Sequence, residues 1–280
     1  HEVERCVPSS VCVAHHSKQL PWRDRDALAA VVALAAPAAC GGGGETAPEA
    51  TTEDAPAAEG SSGVAPDLSQ AGSISGKVSF EGEAPQMARI RMGAEPACEE
   101  KHDGPVYSQD VVVNDNGTLK NALVWVKGGM EQYSFPTPSE PAVLDQNGCR
   151  YTPHVLAVQV GQDIRMLNSD PATHNIHPVP ANNREFNISQ SEGQEMTRSF
   201  PRQEIAVPVK CNIHPWMKAY IAVVSHPYFA VTADDGTFEL NDLPPGDYTI
   251  EVWHETFGVQ EQQITVAPDS SQELDFSYSG

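Results

Sequence analysis

Cys211-Asn212-Ile213-His214-Pro215-Trp216-Met217 is the stretch on which the reading of this chain turns. It carries a thiol, an imidazole and a thioether in one short loop. Upstream, Thr173-His174-Asn175-Ile176-His177 offers a second imidazole after a strand-like segment. A thiolate, two imidazoles and a weak axial thioether are the ligands of a mononuclear copper site that passes electrons. The residue types and their order therefore point to His174, Cys211 and His214 around one copper ion, with Met217 as the weak axial contact. His177 is read as a surface or supporting residue rather than a ligand. His102, His226 and His254 are likewise read as non-ligands.

Working outward from that loop, the chain reads as β-structure. Val207-Pro208-Val209-Lys210 leads into Cys211, and Tyr220-Ile221-Ala222-Val223-Val224 leads out of the loop. Val155–Val160 and Ile164–Asn168 flank a Gly161-Gln162-Asp163 turn, and Ala122–Val126 runs into Gly128-Gly129. Val111-Val112-Val113 meets the turn signal Asn114-Asp115-Asn116-Gly117. Ile74, Gly76, Val78 and Phe80 alternate with polar or small residues. No stretch after residue 72 keeps a helical period. Short strands divided by Gly, Pro and Asn turns predict an all-β fold of packed sandwiches.

Two resemblances sharpen this. The Val158–Ile164 segment, Asn168, His174-Asn175 and the short Cys-x-x-His-Pro-aromatic-Met loop resemble the cupredoxins, and most closely the amicyanin and plastocyanin type of blue copper protein. That resemblance implies a Greek-key sandwich and the ligand set His174, Cys211, His214 and Met217. It also implies that Asn175 ties the two ligand loops together by hydrogen bonds, with Pro215 and Trp216 flanking His214. His214 is then expected near the surface, in an apolar patch with Pro178 and Pro180, as the entry point for electrons. Further on, Ala233–Leu240 and Leu243–Val252, with Asp235-Gly236 and Pro244-Pro245-Gly246, resemble the prealbumin-like carboxypeptidase regulatory-like sandwich. Together the two parts are similar to bacterial methylamine utilization-type proteins.

The expected organisation is an upstream signal-type segment 1–39, a disordered acidic linker 40–72, N-terminal strands 73–105, a cupredoxin domain 106–226 and a carboxypeptidase-regulatory-like sandwich 227–280. Ile74-Ser75-Gly76-Lys77-Val78 also resembles the first strand of such a sandwich. The copper module is thus either inserted into the second sandwich or set before it in tandem.

The N-terminal part suggests export. Ala27–Ala39 is a short apolar run after Arg23 and Arg25, and Cys40 follows it, ahead of a run of glycines. This resembles a bacterial lipoprotein signal with Cys40 as the lipidated residue. The run is too short to span a bilayer. Pro37, Asp24 and Asp26 depart from the pattern, and plain secretion is the alternative. The following Gly, Ala, Pro, Glu, Thr and Ser lack the apolar side chains needed to order a chain, and read as a tether. Cys6 and Cys12 precede the expected cleavage. With Cys40 given to lipid and Cys211 to copper, Cys98 and Cys149 remain. An oxidising compartment favours a disulfide between them. His102 and His154 lie nearby in sequence, so a second metal site is the alternative.

The 280 residues carry 38 acidic against 17 basic side chains, a formal charge of −21. That balance argues against nucleic acid and anionic membrane surfaces, and fits basic docking partners or simple solubility. A membrane contact is expected only through the lipid. Enzymatic copper centres are disfavoured. Lys210 and Asn212, not His, flank Cys211, and His-x-His pairs are absent. A binuclear copper centre would need a second cysteine in the loop. The expected function is a periplasmic or cell-surface carrier of single electrons, without enzymatic activity. Its partners are expected to be redox proteins such as c-type cytochromes or a periplasmic dehydrogenase. The alternatives are copper binding and buffering, or a sensor or adhesion role.

Overall fold

The computed structural model describes residues 63–280. The signal-type segment 1–39, Cys40 and the linker as far as residue 62 lie outside the described residues. The last part of the expected linker is packed. Val64 bridges Tyr133 in parallel, with Val64 N–H to Gln132 O at 3.0 Å and Ser134 N–H to Val64 O at 3.0 Å. The first strand then opens at Gly72. The linker expected to run to residue 72 is thus tied to the fold before it ends.

Two β-sandwiches make up the described chain, as the alternation and turn signals predict. In the first, one sheet runs Glu195–Arg198, Ile164–Asn168, Ala142–Gln146, Tyr151–Thr152, and the other Ile188–Gln190, His174–Pro178, Glu204–Lys210, Lys218–Val224, Val155–Gln159. Two parallel pairs, 142–146 with 164–168 and 155–159 with 218–224, mark the crossovers of a Greek-key sandwich. In the second, one sheet is built on Gly72–Glu81, which pairs with Thr237–Leu243, Ser271–Glu273 and Phe276–Ser279. Its other sheet runs Phe229–Val231, Leu123–Gly128, Gly246–His254, Gly258–Val266. Both ends of the described chain therefore build the second sandwich, and the strands of the first lie between them in sequence.

This pairing corrects the expected boundary at residue 106. Leu123–Gly128 falls within the expected cupredoxin span, with membership of the other sandwich the alternative for strands up to about residue 148; it hydrogen-bonds to 229–231 and 246–254 in the second sandwich. The reason lies in its two faces. Successive strand side chains point to opposite sides of a sheet. Val124 and Val126 enter the core of the second sandwich with Ile74, Phe238 and Ile250. Leu123 and Trp125 point the other way, onto Val155, Ala222 and Val224 of the first. Lys218–Val224 is two-faced in the same manner: Ala219, Ile221 and Val223 fill the core of the first sandwich. A strand covered on both sides reads as a continuous apolar run rather than an alternation. Such a run does not reveal to which sandwich it is hydrogen-bonded.

Two glycines are required by geometry. Gly76 lies where the partner of Gly72–Glu81 changes from 271–273 to 276–279, and a Cβ there would sit 1.9 Å from Leu274 O. Gly236 adopts φ +69° in the Asp235-Gly236 turn against Thr118, a conformation glycine takes at no steric cost. Among the described residues the single α-helix is the short Pro96–Glu99, opened by a proline at its start. Its Cys98 Sγ lies 4.0 Å from His214 Nε2 of the 211–217 loop.

Candidate metal centre

Strand pairing delivers the ligand candidates to one point. His177 and Pro178 pair with Lys210 and Val209, which sets the strand that begins at His174 beside the strand that ends before Cys211. The 211–217 loop closes on itself: Met217 N–H donates to His214 O at 2.9 Å, and Cys211 N–H to Met217 O at 3.2 Å. His174 Nδ1 and His214 Nδ1 face each other at 2.8 Å. Cys211 Sγ lies 3.8 Å from His214 Nδ1, and one ligand atom from each of His174, Cys211 and His214 falls within a 4.8 Å cluster. Met217 is 1% exposed and packs in the same apolar cluster as Cys211.

The donor set fits a bound ion. Bonds of about 2.0–2.3 Å to one metal hold donor atoms roughly 3–4 Å apart, which is the spacing of these imidazole and thiol atoms. The surroundings of the sulfur favour its ionised form. Asn175 N–H and His214 N–H donate to it at 3.3 and 3.4 Å. Burial alone would raise the Cys211 pKa, yet His174 and these amides hold it below the ordinary thiol value. Burial likewise works against a charged His174, but hydrogen bonds with Asp170 and Cys211 outweigh it and carry its pKa to about 8. His214 is lowered, by burial first and then by the charge of His174.

The structure adds a residue that the sequence reading missed. Asp170, fully buried, has Oδ2 at 3.0 Å from His174 Nε2. It also accepts from Gly148 N–H and Cys149 N–H, each at 2.7 Å. A carboxylate on the outer nitrogen of a ligand histidine fixes its ring and tautomer and raises its basicity. The only sequence trace is Asp170 four residues before His174, too common a spacing to single out. Tyr151 O–H donates to Asn175 O behind the site.

The supporting residues behave as follows. Asn175 binds the ligand loop through its backbone N–H to Cys211, while its side chain donates to Asn187 Oδ1 at 3.2 Å. A second tie between the two ligand segments is His177 Nδ1 to Asn212 Oδ1 at 3.0 Å. Trp216 packs on His214 with ring centroids 5.0 Å apart, and its indole N–H donates to Cys149 O at 3.1 Å. Pro215 is exposed at the turn. His102 faces Gly148 O at 2.8 Å, and His226 faces Val126 O at 2.7 Å. His254 accepts from Thr256 N–H at 3.2 Å.

Cys98 and Cys149 form a disulfide with Cα atoms 5.5 Å apart, so the second-metal alternative does not hold for them. His154 turns to Glu255 instead. Cys149 also clusters with Asp170 and His174 at metal-ligand spacing, but its sulfur is committed to Cys98 and Asp170 to its hydrogen bonds.

The expected surface position of His214 is overturned. It is 3% exposed. Its outer nitrogen, Nε2, has Glu95 Oε2 at 3.8 Å and Cys98 Sγ at 4.0 Å. The segment around the short helix covers that nitrogen, and Pro178 is buried in its own strand.

Comparison with known proteins matches residues 214–279 to the carboxypeptidase regulatory-like domain. That range starts inside the metal-ligand loop and includes Lys218–Val224, which pairs within the first sandwich. No curated protein sequence matches the chain. Similar solved structures include a copper-containing nitrite reductase from Thermus scotoductus SA-01, 20% identical over 36% of this chain and 25% of that one, TM-score 0.29. The chain thus spans about a quarter of that enzyme. A purple cupredoxin from Nitrosopumilus maritimus is 22% identical over 29% of this chain and 98% of its own, TM-score 0.26. A reduced amicyanin mutant is 22% identical over 31% of this chain and 85% of its own, TM-score 0.28.

Proposed function

We propose that His174, Cys211, His214 and Met217 hold one copper ion and that the protein carries single electrons rather than acting as an enzyme. The observation that carries this reading is the convergence of two imidazole Nδ1 atoms near the buried Cys211 sulfur, which accepts two amide hydrogen bonds. Copper bound there supplies a Cu(I)/Cu(II) couple, the chemistry this donor set serves.

The residues around the ligands do the remaining work. Strand pairing fixes His174 and Cys211, the closed loop fixes His214 and Met217, and Asp170 fixes the ring of His174. A cage held this way changes little when the charge at its centre changes, which favours fast exchange. All four candidate ligands are closed to solvent. The proposed partners are redox proteins such as c-type cytochromes or a dehydrogenase, at a periplasmic or cell-surface location with Cys40 as lipid anchor. The Cys98–Cys149 disulfide supports an oxidising compartment.

Voltammetry of the copper-loaded full chain tests the reading. A reversible one-electron wave, shifted in potential but retained in Met217→Leu, is expected for an electron carrier with a weak axial ligand. An irreversible wave with release of copper on reduction would favour copper buffering instead.

A further inference from the structure

All four ligand candidates are closed to solvent: His174 is 0%, Met217 1%, His214 3% and Cys211 4% exposed. For a metal to enter or leave, one ligand must swing aside. His174 starts a paired strand and is held by Asp170. Cys211 and Met217 pack in the sandwich core. His214 stands in the loop, and its outer side faces no strand. That side is occupied by Glu95 and Cys98.

The covering segment is held by strand pairing before it, by its own buried side chains, and after it by Lys101, whose Nζ lies 3.6 Å from Asp170 Oδ1. Before it, Arg89–Ile90 makes a two-residue ladder with Val106–Tyr107; within it, Met92 and Cys98 are buried in the core of the first sandwich. After it, Lys101 Nζ reaches Ser169 O at 3.4 Å. The covalent tie is the disulfide from Cys98 to Cys149. Cys149 is bolted to the centre from both sides. Its N–H goes to Asp170, which also holds His174, and its carbonyl accepts from Trp216 of the ligand loop.

We propose that Met92–Glu100 is a disulfide-locked cap that governs metal entry and exit by blocking the outward swing of His214. The cap rests on the copper reading above and adds to it a control on access. Electrons cross the closed cap, while chelators and external ligands wait for it to open.

The experiment compares the full-length wild type with C98A/C149A and with P96G/A97G, which loosens the short helix and keeps the disulfide. Two rates are read. One is transfer of Cu(I) from the loaded protein to bicinchoninate. The other is alkylation of Cys211 by iodoacetamide in the metal-free protein, followed by peptide mass so that other cysteines do not interfere. The cap predicts both rates rising by roughly tenfold or more in C98A/C149A, with P96G/A97G in between. Rates equal to wild type in folded variants would overturn it. Should C98A/C149A not fold, as circular dichroism would show, P96G/A97G decides alone on the same criterion. The alkylation rate needs no copper. A protein that binds no copper but shows faster alkylation in the variants would keep the cap and sink the copper reading. Copper-loaded variants with unchanged rates would do the reverse.

Discussion

At the scale of single residues, the ligand candidates were legible because chemistry crowds them. Cys211, His214 and Met217 share one loop, and His174 precedes an Asn on a strand-like segment. What the sequence hid are the groups that reach the histidines from elsewhere. Asp170 is an ordinary Asp-Pro turn residue until the fold turns its carboxylate onto His174 Nε2, and Glu95 and Cys98 are distant in sequence from His214. Asp170 also anchors the Gly148 and Cys149 amides, so its loss should loosen ring and hairpin together. Asp170→Asn is expected to weaken copper binding about 10–100-fold, measured by competition with a chelator of known affinity. An unchanged affinity would mean that the carboxylate serves only the hairpin.

At the scale of elements, alternation was readable where one face of a strand meets solvent, as in Gly258–Val266 with its regular exposed and half-buried pattern. It failed where both faces are covered. Leu123-Val124-Trp125-Val126 and Ile221-Ala222-Val223-Val224 are apolar throughout because each serves two cores. Their sequences could identify them as strands but not assign them to a sandwich. Leu123, fully buried in the shared layer, is a direct probe of this. Leu123→Ala should cost about 2–5 kcal/mol in chemical denaturation. The loss should register in the visible band of the copper-loaded protein as well as in the far-ultraviolet signal, since the layer joins both sandwiches. A change confined to one signal would mean that the sandwiches unfold apart.

At the scale of the molecule, the two sandwiches are joined by that apolar layer and by a polar cluster that is buried at His154 and Glu255 and partly open to solvent at Lys218 and Asp110. Glu255, on the turn after Gly246–His254, pairs with His154 and, at 2.7 Å, with Lys218, which also reaches Asp110 at 2.6 Å. Burial alone would raise the Glu255 pKa, but hydrogen bonds from His154 and Lys218 hold it below the ordinary 4.5. A carboxylate lowered in the folded state adds stability above its unfolded pKa, and that stability is lost as pH falls through the folded value. Glu255→Gln should therefore be less stable than wild type by about 1–3 kcal/mol at neutral pH. The gap should close as the pH drops below 4.5, and a gap independent of pH would point to packing alone. No sequence pattern announces this cluster, because its members come from four separate parts of the chain. The central claim is the copper centre itself, and the most direct test is to add Cu(II) to the full chain and record visible absorption and electron paramagnetic resonance together. An intense thiolate-to-copper band with narrow copper hyperfine splitting, both lost in Cys211→Ser, is the predicted result. A colourless protein, or a weak band with the wide splitting of ordinary Cu(II), would contradict it.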